Sequence, residues 1–211
     1  MTGTLTHPHY HDQLARLRAA MEAPRSRVAI VNVPMGNFLM VDGRGDASDE
    51  PFRAAVRAVA DLSAALRLYL QDGGGTLFDP MPLELLWSSP DDEVWREAVP
   101  GAWAWTAMVA QPAGVTPELV SALRDRLEPV HGREMLCRIR LGSLREGLSA
   151  QTAYAGRADR TPEVLDRLLA HVRSHGYEPH GPHHEIFVAD LRHRDVSSLR
   201  TVVRQPIQPT H

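Results

Sequence analysis

The chain has one cysteine, Cys137, among 211 residues. That excludes an internal disulfide and a cysteine-based zinc site, and it fits a reducing compartment. No stretch is apolar for the length of a membrane span, and Met1 to Asp12 lacks the apolar core that a signal peptide needs. Neither sign of charge dominates: the formal net charge is −3 with both signs dispersed. No basic stripe therefore points to nucleic acid or an anionic membrane as a partner. Glycine-rich nucleotide loops, a His-Glu-x-x-His motif and a Ser-His-Asp signature are all missing. These absences describe a cytoplasmic protein working without metal or cofactor. With 43% apolar and 23% charged residues, the chain is long and apolar enough to bury a sizeable core.

Residues 1–24 read as a polar, His-rich tail with a short amphipathic helix from Gln13 to Met21 that Pro24 ends. His7, His9 and His11 alternate there without an acidic or cysteine co-ligand, which makes a poor metal site. A single domain spans 25–211. Arg27 to Val33 reads as a strand, and Asn37 to Val41 as its antiparallel hairpin partner across Pro34-Met35-Gly36. Gly43 and Gly45 read as turn glycines. Pro51 opens a long amphipathic helix from Phe52 to Leu70, and Gly73 to Gly75 stop it. Strands follow at Met81 to Trp87 and Ala102 to Gln111, then a helix from Thr116 to about Val130.

The same order recurs. Glu134 to Leu141 reads as a strand, with Cys137 buried by alternation, and Gly147 to Ala155 as its hairpin partner. Thr161-Pro162 opens a helix that Gly176 closes, and strands follow within Gly181 to Asp190, centred on Glu185, and at Leu199 to Gln205, ended by Pro206. The two half-units, about 25–132 and 133–207, share the order β–β–α–β–β, and the match lays Glu84 over Glu185. The expected fold is α+β: two repeats related by a pseudo-two-fold, forming an eight-stranded, mostly antiparallel sheet. Helices would lie on one face, with a ligand cleft at the junction of the halves.

Aromatic residues make up only 6% of the chain, yet all four tryptophans fall between Trp87 and Trp105. In the strand centred on Glu185, Glu185, Phe187 and Ala189 share one face and Ile186 and Val188 the other. A carboxylate inside so apolar a segment is costly to bury unless it meets a cation, a hydrogen-bond donor or a proton. Aromatic faces around a carboxylate suit a planar, lipophilic or cationic ligand, because the rings add stacking and cation–π attraction. Glu84 and Trp87 point to opposite faces of a regular strand, which favours Glu185 over Glu84 as the central carboxylate. His183 and His184 likewise diverge, so they do not share a metal ion.

Several spaced motifs resemble the GyrI-like small-molecule-binding family, in its stand-alone form. They are Asn37-Phe38-Leu39-Met40-Val41-Asp42-Gly43-Arg44-Gly45-Asp46, Met81-Pro82-Leu83-Glu84-Leu85-Leu86-Trp87 and Trp103-Ala104-Trp105-Thr106 through Gln111-Pro112. Glu146 to Gln151, His183-His184-Glu185-Ile186-Phe187 and Arg204-Gln205-Pro206 continue the series. The resemblance implies paired SH2-like units and a pocket for bulky hydrophobic, often cationic, compounds around a central glutamate, which falls on Glu185. Trp87, Trp105, Tyr154, Phe187, Phe38 and Glu84 complete the ligand-binding set. A catalytic subfamily hydrolyses cyclopropane-bearing DNA-alkylating natural products; here Glu185 would orient or deprotonate water and Tyr154 would stabilise the developing phenolate. The first expectation is therefore a protein that binds multidrug-like xenobiotics, and the second such a hydrolase. A third is a protein-interaction or inhibitor module that needs no pocket.

Overall fold

The computed structural model describes residues 15–20, 27–73, 80–88, 103–112, 114–156, 161–188 and 200–210. Strands β1 (Ala29–Val33) and β2 (Gly36–Arg44) precede helix α1 (Glu50–Asp72), then β3 (Leu83–Ser88) and β4 (Ala104–Gln111). Helices α2 (Pro117–His131) and α3 (Arg133–Arg138) lead to β5 (Arg140–Leu144), β6 (Gly147–Ala155) and α4 (Thr161–Ser174). The chain ends with β7 (Tyr177–Pro179), β8 (His183–Val188) and β9 (Arg200–Pro209). Pro51 in its first turn starts α1, and the helical spacing of Phe52, Ala55, Val59, Leu62 and Leu66 buries one face. Helix α2 is capped by Thr116, whose hydroxyl accepts the Leu119 N–H at 3.3 Å.

All nine strands lie in one sheet system, with every pairing antiparallel. The order is β1-β6-β9-β8-β3-β4-β2-β5, and β7 pairs with the far end of β9. The expected pairing of β1 with β2, and of the following repeat's first strand with β6, does not occur. Instead β1 joins β6 and β5 joins β2, so each half-unit gives its first strand to the other. The links explain this. A two-residue hairpin favours turns with positive φ, supplied by Asn-Gly or Gly, whereas Pro34 holds φ negative and neither Met35 nor Arg145-Glu146 is a turn pair. Each link spans at most about 10 Å. The sheet must therefore curl until its two ends come within that reach.

The repeat is real in the ladders: β1 lies over β5, β2 over β6, α1 over α4, β3 over β8 and β4 over the start of β9. The pseudo-axis passes by the pair Leu85–Glu185. A two-fold normal to the sheet keeps each side chain on its own face, so Glu84 takes the place of His184, not of Glu185. The sequence match was one residue out of register, which in a strand exchanges the faces.

Two further expectations are corrected. Residues 133–138 are helical, and Leu136 is buried while Cys137 is exposed, as helical spacing requires. Strand β9 continues through Pro206, opposite Ser149, to Pro209. Helix α1 lies over β2 and β4, and α4 over β6, β7 and β9. The opposite face is not bare: residues 15–20 are helical, and Leu17 packs there on Ile186 and Val202. Among the described residues no helix is long and apolar enough to cross a membrane. Leu62, on the inner face of α1, is fully buried, so Leu62→Ala should cost about 2–5 kcal/mol of unfolding free energy, read from urea denaturation; a loss below about 1 kcal/mol would contradict this packing.

Candidate functional site

Because α1 and α4 sit over the outer strands, the central pair β3 and β8 runs between them as the floor of a trough. Alternation puts Leu83, Leu85 and Trp87 of β3 and His183, Glu185 and Phe187 of β8 on that floor. Leu85 and Glu185 are buried, and Leu83, Trp87, His183 and Phe187 are half-buried. The Glu185 side chain keeps 11% of its surface exposed, and His183 Nε2 lies 3.8 Å from its Oε1.

The aromatic side chains form a connected row along the trough. Phe52 of α1 stacks on Trp87 with ring centroids 5.9 Å apart and meets Trp105 edge-on at 5.1 Å. Trp103 meets Trp87 edge-on at 6.4 Å and His183 at 6.2 Å. The buried indole N–H groups of Trp87 and Trp105 have no hydrogen-bond partner among the described residues. Such orphaned donors are costly unless something arrives to accept from them. Gly43 belongs to this arrangement and is not a turn residue. It sits in β2 directly across from Trp105, and any Cβ there would collide with the indole ring. Gly45, at φ 110°, is the turn glycine.

Of the residues read from the sequence, Glu185, Trp87, Trp105 and Phe187 come together on this face. Tyr154 shares the face but belongs to the second core under α4, where its hydroxyl is 2.7 Å from that of Thr161. It stands across Thr201 of β9 from Phe187, roughly 10 Å at the usual strand spacing, and two residues further along the sheet than the position opposite Glu185. Glu84 and Phe38 lie on the opposite face. Phe52, Trp103 and His183 were absent from the expected set. The shared parity of His183 with Glu185 was a legible signal; the approach of Phe52 was not. Trp95 lies outside the described residues, as do His7, His9 and His11.

Behind Glu185, the opposite face holds a buried ionic network. His184 places Nε2 2.9 Å from Glu84 Oε2 and Nδ1 2.9 Å from Glu146 Oε1. Arg204 donates from Nη1 to Glu146 Oε2 at 2.6 Å and from Nε to Gln151 Oε1 at 3.1 Å. Burial alone would raise the Glu146 pKa, but the His184 and Arg204 charges outweigh it and hold the group down at about 2. Burial likewise opposes charge on His184, yet Glu146 and Glu84 raise it to about 9.

No family model and no curated protein matches this sequence. Solved structures do share its fold. An uncharacterized conserved protein from Listeria innocua is 24% identical with a TM-score of 0.79, over 92% of this chain and 98% of its own. A hydrolase from the same organism is 24% identical with a TM-score of 0.73 over the same shares, 92% and 98%. The EcmrR C-terminal domain is 11% identical with a TM-score of 0.57, over 87% and 98%. The mixed α+β arrangement is thus one that other chains adopt almost end to end.

Two outcomes follow. Gly43→Ala should push Trp105 out of its place, lowering stability and shifting tryptophan fluorescence, while Gly45→Asn should leave the fluorescence unchanged; an unchanged spectrum in Gly43→Ala would refute the contact. The network sets a pH window as well. Glu146 contributes stability above its ordinary pKa of 4.5 that is lost as pH falls towards about 2. His184 contributes below its ordinary 6.5, and that is lost as pH rises towards about 9. At pH 6, Glu146→Gln should be less stable by roughly 3–5 kcal/mol, and the two denaturation midpoints should converge as pH falls towards 2. A constant separation at every pH would show that Glu146 carries no such charge.

Proposed function

We propose that this is a stand-alone small-molecule-binding protein of the GyrI-like type, taking bulky, aromatic, lipophilic and cationic compounds in the trough over β3 and β8. One observation carries the reading: the nearly buried Glu185 carboxylate faces a row of aromatic rings, and His183 at 3.8 Å is its one ion-pair neighbour among the described residues. A buried carboxylate needs a counter-charge, and a ligand cation in contact with Trp87 and Trp103 would supply one while gaining cation–π attraction. Phe187 widens the apolar surface for the rest of the ligand, and the buried Phe52 and Trp105 rings pack behind Trp87. Tyr154 supports α4 from the neighbouring core in this reading and does not touch the ligand.

The His183–Glu185 pair favours a second reading, hydrolysis of a strained, cyclopropane-bearing electrophile conjugated to a dienone; a solved protein of similar fold is itself a hydrolase. Glu185 would take a proton from water as its oxygen bonds the ring carbon. The ring C–C bond breaks, its electrons pass into the dienone, and the resulting phenolate is then protonated. The indole N–H groups of Trp87 and Trp105, without a partner among the described residues, are freer than the engaged Tyr154 hydroxyl to donate to that developing phenolate oxygen.

Glu185→Gln should weaken a planar cationic dye about tenfold and a neutral dye of similar shape by less than about twofold, as read by fluorescence titration. Equal loss for both would sink the countercharge role. Mass spectrometry after long incubation separates the two readings: unchanged ligand means binding, and a product one water heavier means turnover.

A further inference from the structure

The curl of the sheet leaves a cavity of about 460 Å³ on the face opposite the trough. It lies between the helical residues 15–20 and the two ends of the sheet, where β1 passes into β2 and β5 ends. That volume is in the range of drug-sized ligand sites. Val31, Val33, Phe38 and Leu144 make its walls apolar.

Its charges are opposite in sense to the trough's. Among the described residues lining it, Glu146 is the only carboxylate, with one oxygen on His184 and the other on Arg204. Arg204, a lining residue, uses Nη1 and Nε on Glu146 and Gln151, which leaves Nη2 without a hydrogen bond among the described residues. At the mouth stand two exposed arginines. Among the described residues Arg16 meets only the Asn32 carbonyl, at 3.3 Å, and Arg27 has no ion pair or hydrogen bond. An apolar chamber with a satisfied carboxylate, a buried guanidinium and two exposed arginines that have no ion pair among the described residues is complementary to an anion, not a cation.

We propose that this cavity is a second ligand site, for a small organic anion with an apolar body. Its anionic group would meet Arg204 or the arginines at the mouth, and its body would lie against Val31, Val33 and Phe38. The site is separate from the trough and stands whether or not the trough binds cations.

The test uses the full chain and anilinonaphthalene sulfonate, with uncharged phenylnaphthylamine as the matched neutral probe. Saturable one-to-one binding of the sulfonate, displaced by decanoate, is expected. Arg16 and Arg27 are exposed, so the double variant Arg16→Glu, Arg27→Glu keeps the fold; it should weaken the sulfonate about tenfold and the neutral probe by less than about twofold. Val31→Trp, checked for folding by circular dichroism, should abolish both by filling the chamber. Lack of saturable binding overturns the proposal, the chamber then being closed to ligands. So does an equal effect of the double charge reversal on both probes. Displacement of the sulfonate by ethidium would put both ligands in one place and overturn it too.

Discussion

The pairing of β3 with β8 is the constraint on which the rest of the molecule depends. It joins the two repeats at their pseudo-axis, and its period of two sends adjacent side chains to faces with opposite tasks. Leu85, Glu185, Trp87 and His183 go to the helix side, where α1 and α4 stand apart and leave a trough. Glu84 and His184 go to the other side, where they are fully buried. A slip of one residue would bury an isolated Glu185 in the ionic network's place and expose the network instead.

That network then ties the exchanged parts together. Glu84 comes from β3, His184 from β8, Arg204 from β9, and Glu146 from the link through which β5 passes to β6. Buried ion pairs seldom add much net stability, but removing one partner leaves an uncompensated charge and is costly. Here they join residues of four segments that meet in this register and this strand exchange. The chain that pins the sheet also shapes its open face, because Glu146 and Arg204 line the cavity there.

The two faces thus offer opposite chemistry from one sheet. On the helix side a carboxylate lies among rings; on the other, guanidinium groups border aliphatic walls. Both arise where the fold cannot close completely: between helices that cover only the outer strands, and between sheet ends held together by two-residue links. Sites of this kind cost little, since the backbone hydrogen bonds are already satisfied and only side chains remain to be matched.

Much of this was legible in the chain before any coordinates. The helices from Pro51 and Pro162 announced themselves by proline and helical apolar spacing, and the strand around Glu185 by β-branched and aromatic residues. The internal repeat emerged from element order, and strand parity alone set Glu185 apart from Glu84 and His183 apart from His184. These are local properties, decided within a few residues by backbone sterics and side-chain period. What only the tertiary structure decided is long-range. It exchanged β1 and β5 between repeats, turned residues 133–138 into a helix, and made Gly43 the seat of the Trp105 ring. It also brought Phe52 from α1 onto Trp87 and gathered Glu146 and Arg204 around His184. Such contacts join residues far apart in sequence, and the free energy that selects them comes from burying whole faces together, which no short stretch encodes by itself.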